Sequence, residues 1–187
     1  MIYIGIDPGK KGGISAIQQN GLTDKPRENR GADGKRFPSD PYVYIYPMPD
    51  TEQFILQMFK NIFNYRIGIW DLQTGQKDIS SEPERMKAII EKVHAFPGQG
   101  VTSMFTFGQG YGFLRGCLVA LAIPFTEVTP QKWMKHFGLK KNKEETTTEY
   151  KRKILQKAQN LFPNSTVTLQ TADSLMLVEY LRQTDRS

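Results

Sequence analysis

The sequence predicts an α/β fold in which a mixed five-stranded sheet is flanked by helices, and three observations lead there. Two short apolar runs flank a Pro-Gly-Lys-Lys-Gly-Gly turn near the start, the pattern of an antiparallel hairpin. Beyond residue 85, short β-type runs alternate with longer segments whose apolar residues recur at helical spacing. The 187 residues, 39% of them apolar and 24% charged, suffice for a single domain with a full core.

The first strand spans Ile2 to Asp7 and the second Ile14 to Gln18. Residues 20–41 are polar and rich in Gly, Pro and charge, which predicts a long insertion rather than a core element. A third strand follows at 42–46. Thr51 then caps a helix whose apolar positions are Phe54, Ile55, Met58, Phe59, Ile62 and Phe63. Residues 66–84 read as a second insertion. The apolar run Ala88-Ile89-Ile90 predicts a buried central strand. A loop over 94–100 leads to a helix over 108–122, where Gly110, Gly112, Gly116 and Ala120 permit close packing. A fifth strand at 124–128 precedes helices at 130–137, 143–161 and 171–182.

Composition narrows the chemistry. One cysteine, Cys117, excludes both a disulfide framework and a Cys-based zinc site. With only His94 and His136 besides, a catalytic metal must rest on oxygen ligands, which favours Mg²⁺ or Mn²⁺. No apolar run is long enough to span a bilayer, and a strand from Ile2 leaves no space for a leader peptide. A protein acting in the cytosol, bacterial or viral, is therefore expected. Residues 129–160 hold nine Lys and Arg against three acids, a surplus that equals the whole net charge of +6. Such a localised surplus is either a polyanion-binding face or a solvated, lysine-rich helix.

Hydrolysis of a phosphodiester by two metal ions needs carboxylates gathered at one point from distant parts of a chain. Asp7 closes Ile4-Gly5-Ile6-Asp7, and Glu91 follows Ala88-Ile89-Ile90. An acid at the end of a buried strand is costly unless it is paired or bound to a metal. Asp173 opens the last helix, where it is either a third ligand or a helix-dipole partner.

In order and content these motifs resemble the RuvC-type Holliday-junction resolvases of the ribonuclease H-like superfamily. Ile4-Gly5-Ile6-Asp7-Pro8-Gly9 is similar to the family's first acidic strand, Ile90-Glu91-Lys92-Val93 to its second motif and Ala172-Asp173-Ser174-Leu175 to its last. Phe107-Gly108-Gln109-Gly110 resembles the Gly-Gln helix start between them, and the stretch from Glu91 to Phe105 is similar to the subgroup containing the chloroplast resolvases. The resemblance implies a ribonuclease H-like fold and a homodimeric endonuclease of recombination and repair. It would cut four-way DNA junctions with two Mg²⁺ ions per site, Mn²⁺ substituting, on Asp7, Glu91 and Asp173. It further implies phosphate contacts from the group Lys132, Lys135, Lys140, Lys141 and Lys143, with one lysine near Lys132 and one near Lys143 closest to the cut strand. His94, Phe96 and Gln109 would also meet DNA; His94 occupies the place of a base-stacking aromatic, and either stacks or orients a water.

One position departs from the family pattern. A second acid commonly stands one turn before the last, and here that residue is Gln170, a candidate metal ligand without charge. Several roles stay open in the sequence. Phe105 and Phe107 are either core residues or stacking platforms, and the 108–122 helix, with Leu118 and Val119, is either a dimer element or a core helix. The Gly-rich turn after Asp7 also suits a phosphate cradle of an actin-like ATPase. A nuclease acting on other branched or hybrid nucleic acids, and a junction binder with a weakened site, complete the set.

Overall fold

A computed structural model describes residues 1–18, 43–66, 85–94 and 98–185. The expected insertions at 20–41 and 66–84 fall almost wholly outside these residues, as does Phe96. Five strands, β1 (Ile2–Asp7), β2 (Gly13–Gln18), β3 (Val43–Pro47), β4 (Met86–Glu91) and β5 (Phe125–Val128), form one sheet in the order β3-β2-β1-β4-β5. β1 runs antiparallel to β2 and parallel to β4; β2–β3 is antiparallel and β4–β5 parallel, so the sheet is mixed. Five helices complete the fold: α1 (Glu52–Arg66), α2 (Val101–Ala120), α3 (Pro130–His136), α4 (Thr147–Leu161) and α5 (Ala172–Thr184).

Strand alternation divides the apolar residues between two cores. Ile2, Ile4 and Ile6 of β1 join Met86, Ala88 and Ile90 of β4 in a core with Phe59 of α1 and Leu118 of α2. Tyr3 and Ile89 point the other way, into a core with Trp133 of α3, Ile154 of α4 and Leu175 of α5. α5 is buried at every position from Ala172 to Leu181 because it lies between the sheet and the outer helices. Gly5 makes that contact possible: a Cβ there would collide with the Ser174 carbonyl and the Val178 backbone. A buried Ser15–Ser174 hydrogen bond of 2.8 Å fixes the start of α5 against β2.

The expected elements recur with shifted ends, and two differences bear on function. α2 begins at Val101, so Phe105 and Phe107 lie on a helix rather than in a loop, 67% and 38% exposed. They are not core residues. Leu118, by contrast, is fully buried against the sheet, so it belongs to the core and not to an outer face. In α1, Ile55, Met58 and Phe59 face inward as expected, while Phe54 is 66% exposed. α4 starts at Thr147 instead of 143, because Thr146 and Glu149 close a reciprocal capping box. Among the described residues, no helix is long and apolar enough to cross a membrane.

Candidate active site

The parallel pair β1–β4 sets the site. Ile6 pairs with Ile90, so the next residues, Asp7 and Glu91, leave neighbouring strands side by side. Both occupy the alternate position to the isoleucines and therefore share the face on which α5 packs. Asp173 sits in the first turn of α5, 4% exposed, and the close approach at Gly5 lowers that turn onto the ends of both strands. Three acids distant in sequence thus meet at the ends of the inner strands β1 and β4.

Their electrostatics show the crowding. Burial, then the charges of Asp173 and Glu91, push the Asp7 carboxyl up to about 7. Burial also raises Glu91, while the Trp133 indole, donating its Nε1–H to Glu91 Oε1 at 2.8 Å, works in the opposite direction. Lys151 reaches in from α4 and its ammonium is ion-paired with Asp173 Oδ2. Burial alone would lower the pKa of Lys151, but Asp173, Asp7 and Glu91 together hold it above the ordinary lysine value. One ammonium therefore faces three carboxylates.

These residues fit a hard divalent cation. Asp173 Oδ1 is buried without a hydrogen-bond partner among the described residues, a state that costs free energy unless a cation or donor meets it. The donor set is all carboxylate oxygen, the type Mg²⁺ and Mn²⁺ select. Among the described residues no three ligand groups are gathered at metal-coordination spacing, and the Lys151 ammonium is paired with Asp173. The Lys151 side chain is 42% exposed, so it has a path out towards solvent.

The structure brings Lys151 to the acids, a residue for which the sequence offered no role; the expected lysine near Lys143 is eight positions short of it. A signal was present in the spacing. Lys151 shares a helix face with Ile154 and Ala158, both fully buried, so its stem had to start inward. Lys132, Lys135, Lys140, Lys141 and Lys143 are all exposed around α3 and the approach to α4. His94 and Gln109 are exposed too. Gln170 lies in the turn before α5, with its amide nitrogen 3.5 Å from the Lys10 carbonyl. It ties the β1–β2 turn to the helix start.

The β1–β2 turn is tightly packed at its end. A Cβ at Gly12 would strike the Asp7 carbonyl and carboxyl, and one at Gly13 would meet the Tyr46 carbonyl at 2.8 Å. Gly12 is needed for packing around Asp7. Beside Glu91, a cleft of about 750 Å³ opens between the end of β4, α2 and the start of α3. Lys92, His94, Phe107, Tyr111 and Gln131 line it.

The sequence matches no family model and no curated protein. Solved structures do resemble the fold. Thermus thermophilus RuvC in complex with a Holliday-junction substrate aligns at a TM-score of 0.50 with 10% identity, over 98% of this chain and 96% of that one. The chain has the ribonuclease H-like fold of RuvC. A second Thermus thermophilus RuvC structure aligns at 0.49 with 13% identity over the same shares. The yeast mitochondrial Holliday-junction resolvase Ydc2 aligns at 0.37 with 14% identity, over 95% of this chain and 76% of that one.

Proposed function

We propose that this chain is a divalent-metal-dependent endonuclease that resolves four-way DNA junctions, a crossover junction endodeoxyribonuclease. The observation that carries the reading is the convergence of Asp7, Glu91 and Asp173 at the ends of the inner strands β1 and β4, with a buried Asp173 oxygen left unpartnered among the described residues. Asp7, Glu91 and Asp173 would hold Mg²⁺, or Mn²⁺ in its place. Ions held there would supply Lewis acidity to hydrolysis of the phosphodiester. Lys151 exchanges its carboxylate partner for a non-bridging oxygen of the scissile phosphate, and so places a positive charge where negative charge develops. Lys132, Lys135, Lys140, Lys141 and Lys143 grip flanking phosphates, and Gln109 contacts the backbone from α2. His94 and Phe107 frame the cleft beside Glu91, whose apolar walls suit a base unstacked at the crossover.

Two symmetric nicks call for a twofold dimer. α2 is its element on this reading. Of its twenty residues only Leu114, Cys117 and Leu118 are buried, although the helix is apolar nearly all round. Val101, Phe105 and Val119 are 84%, 67% and 69% exposed, and among the described residues a Cβ at Gly108, Gly110, Gly112 or Gly116 would meet nothing beyond its own helix within 4 Å. Such a face invites a second helix.

The neutral Gln170 favours one other reading, a junction-binding protein with a weakened nuclease site. Incubation with four-way, three-way and RNA–DNA duplex substrates in Mg²⁺ separates the readings. Paired nicks confined to the four-way junction are expected. Binding without nicking would favour the weakened site, and equal cutting of the hybrid would redirect the substrate assignment.

A further inference from the structure

Glu91 is the acid whose carboxylate is held by a buried aromatic side chain. It ends a strand on a side chain with three rotatable bonds, and ordering such a chain opposes folding and ligation alike. Trp133 is the device that orders it. The indole is fully buried, among the largest side chains of the core, and packs in the cluster that holds Leu139, Tyr150 and Ile154. Its Nε1–H, the single polar atom it has, is spent on Glu91 Oε1 at 2.8 Å.

We propose that Trp133 is a positioning residue that holds the Glu91 carboxylate with Oε2 presented to a divalent cation. The inference rests on the metal-site reading above. An indole suits the task for a reason of charge. A lysine or arginine in its place would orient Glu91 equally well but would repel the incoming cation, whereas the neutral N–H fixes one oxygen and adds no charge. The arrangement also joins two parts of the site. Lys132 and Lys135 lie on either side of Trp133 on α3, exposed where it is buried, so the helix offering charge to DNA is the helix that orients a metal ligand.

The test replaces the donor without the shape. Trp133→Phe removes the N–H, and site-specific benzothienylalanine at position 133 puts sulfur where the N–H was while keeping the bicyclic volume. The readout is Mn²⁺ binding by calorimetric titration of the full chain, with junction cleavage as a second arm. Loss of an outer hydrogen bond to a metal ligand lowers affinity about 10- to 100-fold, and both variants should show that rise in Kd. In cleavage, half-activation should move to higher Mn²⁺ while KM for the junction stays unchanged. If Trp133→Phe fails to fold, the benzothienylalanine protein decides. Wild-type Mn²⁺ affinity in that protein would overturn the proposal, as would a wild-type chain that binds no Mn²⁺. Mn²⁺ bound by a wild type that cuts no junction would defeat only the nuclease reading, and the titration would still decide the role of Trp133.

Discussion

The face of the sheet under α5 has two ends, and they treat buried charge in opposite ways. At the end where β1 and β4 begin, each acid has its cation. Asp185 accepts from Lys87 at 2.7 Å and from the Tyr3 hydroxyl at 3.1 Å. Glu179 is held by Arg182 through two contacts of 2.7 Å and by Gln183 at 2.6 Å. At the end where the strands finish, Asp7, Glu91 and Asp173 share Lys151, and one Asp173 oxygen has no hydrogen-bond partner among the described residues. The same helix and the same strands build both ends, so burial does not explain the difference. Paired charges hold a fold together; a surplus of one sign is tolerated where a ligand of the other sign completes it.

A large effect is expected at Lys151, the cation that the three acids share. Lys151→Met should lower junction cleavage about 10²-fold, the usual scale for losing one preorganised charge at a developing anion. Rates under saturating Mg²⁺ check it. Undiminished cleavage would mean that Lys151 is only a counter-ion.

Neutralising one partner should move stability in opposite directions at the two ends. The Asp7 carboxyl is raised from 3.8 to about 7 in the folded chain. Its contribution to stability is therefore whole below pH 3.8 and is lost as pH rises through about 7. In chelator, Asp7→Asn should melt higher than wild type at pH 8, by an amount that shrinks towards pH 4. Arg182→Met should do the reverse and cost about 2 kcal/mol, less than a fully buried pair because Arg182 is 36% exposed. Thermal melts of both variants across pH test the contrast, and a shift of the same sign in both would refute it.

The exposed lysines form a third case, since they face solvent rather than buried partners. Charge reversal at Lys132 and Lys135 should weaken junction binding and flatten its salt dependence by about one unit of slope per lost phosphate contact. Affinity measured across a salt series gives the answer, and an unchanged slope would leave this face merely solvated. The smallest effect is expected at Gln170. Gln170→Asp should move half-activation to lower Mg²⁺ by a few-fold, because a negative charge is added beside the acids. Coincident activation curves would confine Gln170 to its contact with the Lys10 carbonyl.

The strands and the three acids were legible because their signals are local. Ile4-Gly5-Ile6-Asp7 and Ala88-Ile89-Ile90-Glu91 each carry strand propensity and an acid in one short run. The start of α2 was not, because Val101 to Phe107 buries no apolar face and so shows no helical spacing of buried positions. Lys151 was hidden by numbers, one cation among nine in a basic segment, and only the helix phase set by the Thr146–Glu149 cap turns it inward. Trp133 reads in sequence as core, which it is; its hydrogen bond to Glu91 spans 42 residues and no local pattern announces it.

Whether the crowded end of the sheet is a metal-dependent nuclease centre is decided by one comparison. Nicking of a four-way DNA junction is followed for wild type and Asp7→Asn, side by side in Mg²⁺ and in chelator. Paired nicks are expected from wild type in Mg²⁺ alone, and none from Asp7→Asn, which still binds the junction through its exposed lysines. Full-rate nicking by Asp7→Asn, or nicking by wild type in chelator, would contradict a metal centre built on these acids.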